Sequence, residues 1–264
     1  MSEKFHMSFD KENTMLVRIM KISLLPVLIL ILGALSIPAF SADNATITGD
    51  GVRLRDVPAT TGFIVGSVNR GTRVEVNGVT AFSETIGGDT APWYIISHNE
   101  NSVAFVYGKY VAIDEGASIP PLEEPVIYFV RTGMERFGEE ESEVIKNLGE
   151  PTSVTEEECV DCFNGHYYIT AIRHLTFKDV TASFEVMEHG VHHIIGIAFT
   201  TDVYSIWGLK VGDSVEEVKQ VLGAPVEMTE DTLFYSNLSG WMNASFKTEN
   251  GAITEIFLFT EDPG

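Results

Sequence analysis

Cys159 and Cys162 are the only two cysteines of the chain, separated by Val160 and Asp161. A pair spaced i, i+3 can close a disulfide, hold a metal together with a nearby imidazole such as His166, or cycle as a redox dithiol. The ends of a β-turn lie within about 7 Å, which disulfide geometry accepts. So short a loop would contribute only about 2 kcal/mol. A redox dithiol needs a helix N-terminus behind a strand. Here Glu156-Glu157-Glu158 precede the pair and Asn164-Gly165 follow it. That pattern reads as a hairpin tip, and the acids would raise the thiol pKa values. A structural Cys159–Cys162 disulfide is the expectation, with metal and redox chemistry as the alternatives.

Five of the seven histidines fall between His166 and His193. His192 and His193 are neighbours on an expected strand, so they point to opposite faces and cannot chelate together. His189 falls in a turn. No metal site is expected. Asp161-Cys162 with Gly165, and His192-His193 before Gly196, touch on the Asp-Cys-Ser-Gly and His-x-Gly-Ile signatures of NlpC-type cell-wall cysteine peptidases. That chemistry needs the cysteine at a helix start beside a histidine base. The serine after Cys162 is missing and no helical pattern follows. No catalytic residue or cofactor is expected, and the chain reads as a non-enzyme.

The aromatic residues are the remaining candidates. Trp93, Tyr94, Phe105, Tyr107 and Tyr110 fall in one stretch, where some build a core and others line a shallow groove; Trp93 and Phe105 are the core candidates. Tyr167, Tyr168, Trp207, Tyr235 and Trp241 fall in the second half. There they either pack on helices or face the open side of a sheet, where rigid rings suit protein recognition. The expected ligand-binding set is Trp93, Tyr94, Tyr107, Tyr110, Tyr167, Tyr168, Trp207, Tyr235 and Trp241.

The formal net charge is −21, from 38 acids against 17 lysines and arginines. Nucleic-acid binding requires clustered cations, so it is excluded as an expectation, as is docking on an anionic membrane surface. In residues 1–42, Arg18 and Lys21 precede an apolar run from Ile22 to Ile37, followed by Pro38-Ala39-Phe40-Ser41-Ala42. This has the layout of an export signal with small residues for cleavage. A retained anchor is the alternative, and only in that case would the membrane be a partner. Secretion, or residence in the periplasm or cell envelope, follows.

Residues 43–113 carry short alternating strands separated by turn residues such as Asn69-Arg70-Gly71 and Gly87-Gly88-Asp89, the pattern of a small β-barrel. Val52-Arg53-Leu54-Arg55, Pro58, Ile64-Val65-Gly66, Gly71-Thr72, Val74-Glu75-Val76, Trp93-Tyr94 and Gly108-Lys109-Tyr110 resemble the bacterial SH3-type domain over nearly the whole stretch. Ala104-Phe105 stands where that family usually has Gly-Trp. The resemblance implies a groove for peptidoglycan or peptide. Residues 114–125, with Pro120, Pro121, Pro125 and Gly116, read as an extended linker.

Residues 126–262 say one thing twice, in copies over about 126–202 and 203–262. Phe137 to Pro151 reads against Val211 to Pro225. Ala182-Ser183-Phe184, Gly190 and Phe199-Thr200 read against Ala244-Ser245-Phe246, Gly251 and Phe259-Thr260. In copy two Ser214 and Glu217 form a capping box, Val215, Val218, Val221 and Leu222 share a helix face, and Gly223 and Pro225 stop the helix. In copy one a glutamate replaces the serine. The shared Gly-x-x-x-x-Glu-Val-x-x-x-Leu-Gly-x-Pro pattern resembles the β-lactamase-inhibitor-protein-like tandem repeat, whose unit also occurs in small outer-membrane assembly lipoproteins. The fold expectation is mainly β with α+β: a small SH3-like β-barrel, then tandem helix-plus-antiparallel-sheet repeats. The functional expectation is an exported, non-catalytic envelope protein binding peptidoglycan or peptide and an envelope protein. The alternatives are a secreted hydrolase inhibitor and a thiol enzyme at the Cys-x-x-Cys pair.

Overall fold

The computed structural model describes residues 43–261 apart from 100–101, 164–167 and 191; the side chains of 99, 160–163 and 168 also fall outside the described set. The expected export segment, residues 1–42, lies outside the described residues. The described chain is one unit, mainly β with α+β character. Among the described residues no helix is long and apolar enough to cross a membrane.

The first lobe holds β1 (Ala45–Ile47), β2 (Val52–Arg55), β3 (Ile64–Val68), β4 (Arg73–Val74), β5 (Val76–Ile86), β6 (Asp89–Asn99), β7 (Ser102–Tyr107) and β8 (Val111–Ile113). They form a three-stranded sheet, β4-β1-β8, and a five-stranded sheet, β3-β2-β7-β6-β5. Period-two alternation builds both. Val52 and Leu54 face the core while Arg53 and Arg55 face out. Ile47, Leu54, Ile96, Ala104 and Val106 fill the interior. Gly87 and Gly88, both at positive φ, make the two-residue turn of the β5–β6 hairpin, which a side chain would strain.

Only the two ends of this hairpin region were legible as strands; β5 continues through residues 77–86. A bulge interrupts β5 between Val79 and Ser83. There the Thr80 hydroxyl accepts from the Trp93 amide at 3.0 Å and replaces a ladder bond. The stretch read as a linker turns at Glu115-Gly116 and is then stitched to β5: the Leu122 amide donates to the Val79 carbonyl at 2.8 Å and the Val79 amide to that of Pro120 at 3.0 Å. Pro125, read as the last linker residue, opens a helix.

That helix, α1 (Pro125–Glu135), has no distinct expectation in the sequence reading. Its signal is present: Val126, Phe129, Val130 and Met134 recur at helical spacing and are all buried. Gly133 allows α1 its close approach to the sheet, since a Cβ there would meet Leu258 Cδ1 at 2.1 Å and Ile206 Cδ1 at 2.7 Å.

The duplication is visible in the fold. Copy one is α2 (Glu141–Leu148) followed by β9 (Ser153–Phe163), β10 (Tyr168–Thr176), β11 (Val180–Met187) and β12 (His192–Phe199). Copy two is α3 (Val215–Leu222) followed by β13 (Glu227–Met228), β14 (Thr232–Ser236), β15 (Met242–Glu249) and β16 (Ala252–Thr260). The eight strands form one antiparallel sheet in the order β13-β14-β15-β16-β12-β11-β10-β9. Two meanders thus meet back to back at β16 and β12. Matching bonds tie each helix start to its own last strand: the Ile194 amide to the Glu139 carbonyl at 3.1 Å, and the Ile253 amide to that of Asp213 at 2.8 Å.

One matched stretch needs correction. Ala182 pairs with Ile197, and Ala244 with Leu258. Ile197 therefore corresponds to Leu258, and Phe199 to Thr260 instead of Phe259. A slip of one residue reverses the face. Phe199 is buried beneath the helices and Phe259 lies on the other side of the sheet. The Cys-x-x-Cys segment is a second correction. It lies inside β9 and not at the hairpin tip. Cys162 pairs with Ile169 and Glu158 with Ala171, so three β9 residues face one on β10. In an unbroken strand residues 159 and 162 would lie about 10 Å apart on opposite faces; the two extra residues interrupt that regular alternation.

The two lobes dock through rings and one charge cluster. Phe82 stacks on Trp207 at 4.6 Å, Phe129 meets the Trp207 ring edge-on at 5.4 Å, and Phe105 meets Tyr128 at 4.8 Å. Trp207 holds a left-handed φ of 54°, a cost of about 1 kcal/mol or more for such a residue. The two ring contacts and a bond from its indole nitrogen to Thr132 Oγ1 at 3.2 Å offset it. Nearby, Arg131 on α1 bonds both Asp56 of the first lobe, at 3.2 Å, and Glu135, at 3.0 Å. Asp56 Oδ1 and Glu135 Oε2 are buried with no protein partner.

The two helix starts differ in their caps. The Ser214 amide donates to Glu217 Oε2 at 2.7 Å, and the Glu217 amide to Ser214 Oγ at 3.3 Å, a complete capping box. Glu140 provides no side-chain cap to α2. Ser214→Ala should therefore lower stability by about 1 kcal/mol, and Glu140→Ser should raise it by up to about 1 kcal/mol. Urea unfolding measures both. Burial pushes the pKa of Glu135 up, Arg131 opposes this and Asp56 adds to it. A carboxyl raised on folding stabilises while protonated and loses that contribution as pH rises through its folded value. Compared with Glu135→Gln, the wild-type chain should thus lose stability as pH rises above the ordinary glutamate value of about 4. Parallel unfolding curves for the two proteins would expose a constant difference if this is wrong.

Candidate functional site

Three of the expected aromatic residues come together on the first lobe. Trp93 of β6, Tyr107 at the end of β7 and Tyr110 in the 3-10 turn Gly108–Tyr110 line a cleft of about 300 Å³ with Arg53, Arg55 and Ile86. Trp93 and Tyr107 are locked in place. The Trp93 indole nitrogen donates to Glu84 Oε2 at 2.9 Å, and the Tyr107 hydroxyl donates to the Glu84 carbonyl at 2.8 Å. Their rings lie 5.5 Å apart, tilted, and Tyr110 stands edge-on to Tyr107 at 6.4 Å. Trp93 and Tyr107 are 2% and 4% exposed, so they form the floor. The partly exposed Tyr110 presents its ring, and Phe105 is wholly core.

The cationic wall of this cleft is absent from the sequence-based site set. Arg53 and Arg55 alternate with the buried Leu54 and so share one side of β2. The Arg55 guanidinium donates to the Gly62 carbonyl at 2.5 Å. Burial and the neighbouring Arg53 charge hold its pKa below the usual arginine value, against Glu84 and Asp56. Among the described residues neither arginine is in an ion pair. The available signal was the Arg-Leu-Arg alternation.

The other expected residues lie elsewhere. Tyr94 packs against the core of the first lobe. Trp207 lies in the joint between lobes, beside a second cleft of about 270 Å³ that includes Phe82, Glu84 and Arg136. Tyr235 does not face the open side of the sheet. It is buried under the helices with its hydroxyl donating to the Gly223 carbonyl at 3.1 Å, and burial pushes its phenol up to about 12. Trp241 is 53% exposed. Tyr167 and the Tyr168 side chain lie outside the described residues.

The open face of the large sheet instead carries Phe234, Phe257 and Phe259. Phe257 stacks on Phe259 at 4.8 Å, and Phe234 lies 6.3 Å from Phe259. The Phe257-Leu258-Phe259 alternation could have revealed them. On the same face His174 Nδ1 and Ser183 Oγ lie 2.8 Å apart across the β10–β11 ladder. On the helix side His192 Nδ1 bonds Glu141, which also lies 3.4 Å from Arg173, so this imidazole ties β12 to α2. Among the described residues no group of three or more His, Cys, Asp or Glu side chains is placed to hold a metal ion. The Cys162 side chain and His166 lie outside the described residues.

No known family's sequence pattern matches the chain, and no curated protein matches it. Among solved structures, an extracellular protein containing an SCP domain, from Bacillus anthracis, is similar over 57% of this chain and 51% of its own, at 8% identity and a TM-score of 0.32. The match spans about half of that protein's chain, and so slight a likeness carries no argument.

Proposed function

We propose that the chain is an exported, non-catalytic binding protein of the cell envelope. Its first lobe, similar in sequence to bacterial SH3-type domains, holds peptidoglycan or a peptide in the cleft under Tyr110. Its second lobe, similar to the β-lactamase-inhibitor-protein-like repeat, holds a protein against the open sheet face. What supports this reading most is the gathering of Trp93, Tyr107 and Tyr110 in a single cleft, with Trp93 and Tyr107 fixed by hydrogen bonds to Glu84. Rigid rings bind at low entropic cost because little motion is lost. A second reading, a secreted inhibitor of a hydrolase, draws on Phe234, Phe257, Phe259 and the exposed Trp241 as the contact surface for that enzyme. We also propose that Cys159 and Cys162 form a disulfide that pins the β9 bulge.

Two measurements test these readings. The full chain should co-sediment with purified peptidoglycan, and Tyr110→Ala should weaken retention by about tenfold, since an aromatic anchor typically contributes 1–2 kcal/mol or more. Equal retention of both proteins would move the site elsewhere, and no retention of either would remove the peptidoglycan reading. For the cysteines, alkylation under native and unfolding conditions without reductant should leave both unmodified. Labelling of either would remove the disulfide.

A further inference from the structure

The cleft has a property that its aromatic residues do not explain: two arginines side by side. We infer that this is a carboxylate site, in which Arg53 and Arg55 together take one carboxylate group while Tyr110 and Ile86 take the apolar body next to it. The inference rests on the reading of this lobe as a peptide or peptidoglycan binder. It adds the chemistry of the group that is recognised.

Register brings the two arginines together. Residues two apart on a strand point the same way with Cα atoms about 7 Å apart, so the outward face of β2 brings two guanidinium groups to one cleft. Like charges this close repel. Acids outnumber lysines and arginines by 38 to 17 in the chain, so a neutralising partner could readily have been placed here. Instead the neighbouring carboxylates are engaged elsewhere. Glu84 receives the Trp93 indole on Oε2 and the Thr60 hydroxyl on Oε1. Asp56 bonds Arg131 at 3.2 Å, and Asp50, at the rim, bonds Arg70 at 3.3 Å. Apart from the Arg55 bond to the Gly62 carbonyl, the two guanidinium groups therefore keep their remaining donors for an incoming anion. Burial of Arg55, together with the Arg53 charge, disfavours its charged form; an anion in the cleft would reverse that.

A guanidinium fork matches a carboxylate in two parallel hydrogen bonds. The rest of the lining selects against a polyanion. Ile86, Trp93, Tyr107 and Tyr110 are apolar or aromatic, and a net charge of −21 repels a phosphate polymer as a whole. A single carboxylate on an otherwise uncharged, partly apolar ligand satisfies both conditions. The C-terminus of a peptide and the free acid of a cell-wall peptide stem share that chemistry.

The experiment uses the full chain and two probe pairs. The first pair is acetyl-tri-leucine with a free C-terminal carboxylate and the same peptide as its amide, compared by calorimetric titration. The acid should bind about tenfold or more tightly than the amide, as expected for a charge-assisted pair. Arg53→Gln should abolish the difference and Arg53→Lys should keep part of it, both with unchanged thermal unfolding, because Arg53 is exposed. Equal binding of acid and amide, binding of neither, or an unaltered difference in Arg53→Gln would overturn the assignment. So would displacement of the acid by inorganic phosphate at equal concentration. The second pair is native peptidoglycan and peptidoglycan whose carboxyl groups have been amidated with ammonia and carbodiimide. Loss of retention on the amidated material supports the inference. Equal retention on both removes the carboxylate and leaves the peptidoglycan reading standing. Binding of the peptide acid without retention on either material does the reverse.

Discussion

Neither copy of the repeat can bury its own apolar sheet face, and the pairing of β12 with β16 is what resolves this. The two strands join four-stranded meanders into one sheet, Ile197 beside Leu258 and Phe199 beside Ile256. The joined face is wide enough to seat three helices. Helix α1 lies over the β15–β16 half, and Gly133 permits its close approach. Its Phe129 and Met134 share one core with Val144 of α2 and Val218 of α3. Separation of β12 from β16 would expose that core along its centre, so the second lobe has to fold as a pair of copies.

The same dependence extends to the first lobe. Helix α1 is common to both: its inner side covers the large sheet, and its Tyr128 and Arg131 reach Phe105 and Asp56 of the first lobe. Copy two has no such helix. At the matching point it has the tight turn Ile206–Leu209, and Trp207 projects from it between Phe82 and Phe129. The break in symmetry between the copies is therefore where the first lobe docks. The strained backbone at Trp207 and the half-satisfied carboxylates of Asp56 and Glu135 sit at this joint, where packing on both sides holds them.

Much of this architecture was legible residue by residue. Ser214, Glu217, Gly223 and Pro225 mark a helix by local hydrogen bonding and local φ, and the helix is where they place it. Gly87-Gly88 mark a turn for the same reason. The sites were less legible. Trp93, Tyr107 and Tyr110 do meet, but Tyr235 is buried in the core, because which face of β14 is covered depends on where α3 and the loop after it pack. Arg53 and Arg55 look like ordinary outward strand residues until β6, β7 and the 3-10 turn close the other sides of the cleft. The open-face phenylalanines were obscured because the matched Phe-Thr pairs hid a one-residue offset between β12 and β16.

By itself the sequence determined the elements that short-range physics controls: the caps and stops of the duplicated helices, the period-two strands and the glycine turns. Each depends on neighbours within a few residues. Tertiary structure alone decided the long-range matters. These are the β12–β16 seam, the bulge of β9 between Glu158 and Cys162, the stacking of Phe82 on Trp207, and the convergence of two arginines on an aromatic floor. Each requires groups far apart in the chain to meet, and their register is set by the packing of the whole lobe and not by any local preference.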